Sequence, residues 1–121
     1  MSKYNIQRFK QTIDIADGQT IGNSVAANLN GILRGVLVDA PDLDGVVTLT
    51  VAILLIDGAE EYTIFSQASI AENANTAILV DANNHPLSRP LSGNIQIRVT
   101  ASGAQADDDD SVAVSLLVDR G

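Results

Sequence analysis

Residues 46–56 (VVTLTVAILLI) place Val47, Leu49, Val51, Ile53 and Leu55 on one side of an extended chain, opposite Thr48, Thr50, Ala52, Leu54 and Ile56. A period of two is the signature of a strand. The first face is wholly aliphatic and is expected in the core. The second begins polar and turns apolar, as though its far end were also covered. The alternation returns at 94–101, with Ile95, Ile97 and Val99 inward and Gln96, Arg98 and Thr100 outward. It returns again at 111–118, where Val112, Val114, Leu116 and Val118 share a face. Residues 32–38 (ILRGVLV) and 76–80 read as further strands. Asp57-Gly58, ahead of the run 62–65, marks a hairpin whose loop is expected to exceed two residues.

The remaining segments are less regular. From Tyr4 to Ile15 the apolar positions are Tyr4, Ile6, Phe9, Ile13 and Ile15, with a phase slip near Arg8 to Lys10 that suggests a bulge or bend. Residues 20–31 (TIGNSVAANLNG) allow a short helix capped by Asn23 or Ser24, but fit an irregular strand or loop better. Residues 39–45, 83–93 and 102–110 read as loops, and residues 66–75 are small and polar. The sum is seven or eight short strands in one domain spanning 1–121, which argues for an all-β sandwich or barrel rather than βαβ units.

Composition removes several kinds of chemistry. The 121 residues include no cysteine and one histidine, so disulfides, thiolate metal sites and multi-histidine metal sites within a chain are excluded. Four aromatics, Tyr4, Phe9, Tyr62 and Phe65, are too few for platforms that stack sugars or bases. No apolar run approaches the ~20 residues of a membrane-spanning helix, so no membrane partner is expected. Charge is unevenly distributed: residues 1–10 carry Lys3, Arg8 and Lys10 and no acid, whereas the other 111 hold fifteen acids and four bases. A body so acidic repels a phosphate backbone, and nucleic acid is not an expected partner. Residues 1–10 are read as a basic arm preceding a sandwich body at 11–121, with Tyr4, Ile6 and Phe9 as anchors and Lys3, Arg8 and Lys10 directed at acidic surfaces.

Signals for catalysis are nearly absent: there is no Gly-rich phosphate loop, no GxSxG and no HExxH. His85 lies in the proline-bearing segment NNHPLSRP and reads as a surface-loop residue. The chain is therefore not expected to be an enzyme, and no cofactor is implied. Asp107, Asp108, Asp109 and Asp110 form the best ion candidate, since Ca²⁺ takes several oxygen ligands at once. Successive side chains of an extended loop diverge, however, and a solvated acidic loop that discourages aggregation accounts for the run equally. Asp42 and Asp44 form a fainter version of the same pattern, without the later bidentate Glu. Arg34, Arg89 and Arg98 lie in or beside strands of an acidic body and are candidates for ion pairs between subunits.

The C-terminal part, RPLSGNIQIRVTASG at 89–103, an acidic gap and then SVAVSLLVDRG, resembles the ending of small virion proteins of tailed bacteriophages. There a Pro-Leu-x-Gly turn leads into an alternating strand that ends in Thr-Ala-Ser-Gly, followed by a final alternating strand. LTVAILLIDG and AENANTAILV extend the likeness over roughly residues 46–121. The resemblance implies a jelly-roll-like β-sandwich on the outer surface of the phage head, a decoration or cement protein made in the bacterial host cytoplasm. It further implies the major capsid protein as partner, and self-association, with a trimer as the expected homo-oligomer. A head–tail joining or tail-associated component, and a calcium- or carbohydrate-binding module, remain the alternatives.

Overall fold

A computed structural model describes residues 5–16, 18–43, 48–103 and 110–121, with only the backbone of Asp110. Lys3, Tyr4, Asp44 and Asp107 to Asp109 lie outside the described residues. The described residues are all-β, with eight strands: β1 (Ile6–Ile15), β2 (Ile21–Asn23), β3 (Ala27–Ala40), β4 (Thr48–Asp57), β5 (Glu60–Ala71), β6 (Ala74–Ile78), β7 (Arg89–Ala101) and β8 (Asp110–Asp119).

The pairings are nested. β1 pairs with β8, β2 with β7, β3 with β6 and β4 with β5, all antiparallel, as if one long hairpin ran from both chain ends to the turn after Asp57. Wrapping that ribbon on itself adds β3 against β8 and β4 against β7. Two four-stranded layers result, β1-β8-β3-β6 and β2-β7-β4-β5, which is the jelly-roll arrangement. The long strands β3 and β7 join the layers: their first halves pair with each other, from Ala27↔Ile95 to Leu33↔Arg89, and their second halves pass into different layers.

Gly31 sits at that corner with φ +147°, and a Cβ there would lie 2.5 Å from the Asp119 carbonyl oxygen. The β1/β2 side of the sandwich closes tightly, since a Cβ on Gly22 would come within 2.4 Å of the Asp14 carbonyl oxygen. On the opposite side, β5 and β6 leave an open groove of about 530 Å³ between residues 67–71 and 76–82.

Alternation specifies the core. Val112, Val114, Leu116 and Val118 of β8, and Ile95, Ile97 and Val99 of β7, are all buried in one cluster with Leu49, Val51 and Ile53. In β4 the ladder to β7 is unbroken from Leu49 to Ile56, so Leu54 lies on the face opposite Ile53, outside the core cluster, and is buried there; the far end of the second face is covered, as its change from polar to apolar anticipates. Ser24 caps no helix. It leads out of β2, and its buried hydroxyl accepts the Ile97 N–H at 2.9 Å.

Several expectations are corrected. β1 pairs with β8 in unbroken register from Ile6 to Ile15, so there is no bulge near Arg8. Phe9, Gln11, Ile13 and Ile15 share the inward face, and Ile6, Arg8 and Lys10 the outward one. Residues 6–10 therefore belong to the sandwich rather than to a free arm, because their backbone groups find partners along β8. Phe9 packs against this chain's own core, while Ile6 is exposed. The hairpin loop is two residues, Gly58-Ala59, between the pair Asp57↔Glu60; Gly58 supplies φ +61° at the first central position, as a II′ turn requires. β7 begins inside the expected 83–93 loop, and the small, polar segment 66–75 supplies the end of β5 and the start of β6.

Candidate functional site

The outward face of the β1-β8-β3-β6 layer is built from rows of side chains set by register. One row is Lys10, Ser115, Leu37 and Ala77; the next is Thr12, Ala113, Asp39 and Asn75. Arg8, Leu117 and Gly35 form the row on the other side. Leu79 and Leu117 meet above Gly35, where an added Cβ would lie 2.8 Å from Leu79 Cδ2 and 3.1 Å from Leu117 Cδ1. Small side chains at 77, 113 and 115, between taller neighbours, leave a trough of about 310 Å³.

The trough is cationic on its β1 side and apolar along its floor. Arg8 reaches across the face, its Nε–H donating to Ser115 Oγ at 2.9 Å, and this leaves Ser115 only 2% exposed. Among the described residues, neither Arg8 nor Lys10 has a carboxylate at ion-pair distance; the ion pairs there are Arg34–Asp119 and Arg98–Glu61. A carboxylate from another molecule placed over Arg8 and Lys10 would gain charge-assisted bonds that this chain does not supply. Leu37 and Leu117 are half-buried and Leu79 is 52% exposed, so an occupant would also cover apolar surface.

The arginines proposed for contacts between subunits have intrachain surroundings. Arg34, at the register shift between Leu33 and Gly35, lies 3.8 Å from Asp119. Arg98 spans the outward face of the other layer, Nε donating to Asn23 Oδ1 at 2.7 Å and its terminal nitrogen to Glu61. Arg89 begins β7 near Asp81. These contacts turn Arg34 and Arg98 toward this chain's own carboxylates.

His85 is exposed, and the bonds that shape its loop run through its backbone. Asp81 Oδ1 accepts the His85 N–H at 3.0 Å and the Asn83 N–H at 2.9 Å. The His85 bond is the main reason that the Asp81 carboxyl is held below the usual carboxylate range, with Asn83, His85 and Arg89 adding to it. Tyr62 donates to Glu60, and that bond raises the phenol above its ordinary value. Among the described residues, no three His, Cys, Asp or Glu side chains come together as a metal site. No helix among them is long and apolar enough to cross a membrane.

Sequence reasoning named Arg8 and Lys10 but not the surface they belong to. The overlooked signal is a pair of outward leucines, Leu37 and Leu117, set between inward Val36 and Val38 and between Leu116 and Val118.

No family model and no curated protein matches the sequence. Among solved structures, the crystal structure of PirA aligns at 11% identity and TM-score 0.47, over 90% of this chain and 93% of that one. The structure of infectious bursal disease virus, Gt strain, aligns at 17% identity and TM-score 0.44, over 98% of this chain but only 33% of the viral one. A pilus protein of Bacillus endospore appendages aligns at 12% identity and TM-score 0.44, over 97% and 92%.

Proposed function

We propose that this chain is a structural virion protein of a tailed bacteriophage, seated on the outside of the head, where it bridges major capsid protein subunits and stabilises the shell. The role is mechanical and involves no reaction. The observation that carries the reading is the trough on the β1-β8-β3-β6 face, where Arg8 and Lys10 stand beside exposed apolar surface on a chain whose formal charge is −8. The sequence resemblance over residues 46–121 supports the same reading, and a rigid aliphatic slab suits it. Many copies on one shell would add up contacts that are individually weak.

The test is uptake by undecorated heads, measured by co-sedimentation. Truncating residues 1–10 would remove half of β1 and confuse folding with binding, so side chains are changed instead. Arg8→Glu with Lys10→Glu should keep the circular dichroism spectrum and reduce uptake at least tenfold. Undiminished uptake by the double variant defeats the assignment of the face. Binding to purified tails but not heads would make the chain a head–tail joining or tail-associated component.

A further inference from the structure

A jelly roll has four strand edges, and an edge left bare is a template for another strand. Three of the edges here are guarded. β1 carries Arg8, Lys10 and Asp14, and its far end is closed by β2. β2 is three residues long. β5 carries Glu60 and Glu61 and is interrupted by two register shifts and by Ser69 at φ +59°. β6 (ANTAI) has none of these devices: no charge, no proline and a regular ladder to β3. Its outer edge lines the open groove, beside Leu79 and Val80, which are 52% and 41% exposed.

We infer that β6 pairs antiparallel with β6 of a second copy about a two-fold axis through Thr76, joining two β1-β8-β3-β6 layers into one sheet. Charge favours this occupant. Copies of so acidic a chain repel each other, and β6 is the edge at which two copies can meet with uncharged side chains only: Ala74 opposite Ile78, Asn75 opposite Ala77 and Thr76 opposite itself. Antiparallel pairing centred on Thr76 sets Ala77 of one copy beside Asn75 of the other. The two outward troughs then become one continuous surface with Lys10 near each end, and Leu79 gains cover. The contact is isologous, so it yields dimers or other even-numbered assemblies. It does not depend on any role in a virion.

Because the chain has no cysteine, a single introduced thiol reports the contact cleanly. Sedimentation of the unaltered chain at roughly 100 μM should give a dimer. Thr76→Cys should form a disulfide-linked dimer under mild oxidation, since residues facing each other across paired strands lie within disulfide reach. Ala68→Cys, on β5, should not. Thr76→Lys should raise the dissociation constant at least tenfold with the fold intact by circular dichroism. A monomer at that concentration, a trimer, or a dimer in which the thiol introduced by Thr76→Cys stays reduced overturns the inference.

Discussion

Replacing Gly31 by alanine tests how the two layers are joined, because two separate penalties meet there. The residue holds φ +147°, a region that only glycine occupies readily, and placing alanine there costs about 1–3 kcal/mol. The added Cβ would also lie 2.5 Å from the Asp119 carbonyl oxygen and 2.8 Å from Val118 Cγ1. Asp119 cannot easily retreat: it is paired with Ile6 on one side and Ile32 on the other. Overpacking of this kind costs a further 1–3 kcal/mol, roughly. A total near ~4 kcal/mol is a large share of a typical domain's ~5–15 kcal/mol. It should lower Tm by about 10–20 °C for a chain of this size. Gly58→Ala is the control, since it too has a positive φ, +61°, but no atom within 4 Å of the added carbon. That change should cost only the backbone penalty, about 1–3 kcal/mol, with no added clash. Thermal and urea unfolding followed by far-ultraviolet circular dichroism would compare the two. Equal losses at the two positions would mean that the end of β8 does not press on the β3 corner as described.

Other perturbations separate the remaining contributions. Ser24→Ala leaves the buried Ile97 N–H without its acceptor and should cost about 1–3 kcal/mol in urea unfolding; a loss near zero would show that another acceptor takes over. Leu116→Ala, at a fully buried position, should cost about 2–5 kcal/mol by the same measurement. Breaking the partly exposed Arg98–Glu61 pair by Glu61→Gln should cost under about 1 kcal/mol, and the difference should shrink in added salt. Asp81 titrates lower in the folded chain than in the unfolded one, so its contribution is present above the ordinary carboxylate range and fades as pH falls through the folded value. Asp81→Asn keeps an oxygen acceptor but removes the charge, so Tm should fall slightly at neutral pH, converge with that of the unaltered chain in acid, and so decline less steeply between the two; an unaltered acid profile would speak against the Asp81 assignment.

The parts of this fold legible in the sequence are those where one face is buried and the other wet. β7 and β8 are of that kind, and their inward residues follow directly from alternation. β3 is legible only over 32–38 because Asn28, Asn30 and Gly31 carry turn-like chemistry, yet they lie on the exposed or corner positions of a 14-residue strand. Pro90 hides the start of β7 in the same way, although it pairs with Ile32 at the corner. In β1, Ile6 and Phe9 look like one interrupted face and are in fact on opposite faces, a distinction that only the ladder to β8 resolves. The candidate surface is less accessible still. It draws on residues 8 and 10, 37 and 39, 75 and 77, and 113 and 115, four pairs that only the nested pairing of first strand with last and third with sixth brings together.

That nesting also explains why the sandwich has one closed and one open side. Each layer ends at two strands: β1 and β2 lie together at one side, β5 and β6 at the other. At the first, Gly22 lets β2 approach the backbone of β1 to a distance no side chain would permit, and the core is sealed by main chain. At the second, Ser69 at φ +59° and Asn73 at φ +51° accompany the groove. A seal of the first kind could have been built there as well, with glycine on β6 and a regular β5. The sequence instead places the uncharged and regular strand β6 beside this opening, which Thr76 to Ile78 line. Folding of one molecule is served equally well by a sealed side, whereas an unguarded strand beside exposed leucine and valine carries an aggregation hazard. Such a hazard is tolerable when the edge is paired in the working state, and the surface where β6 ends and the cationic trough begins is the place where this chain should be found in contact with another.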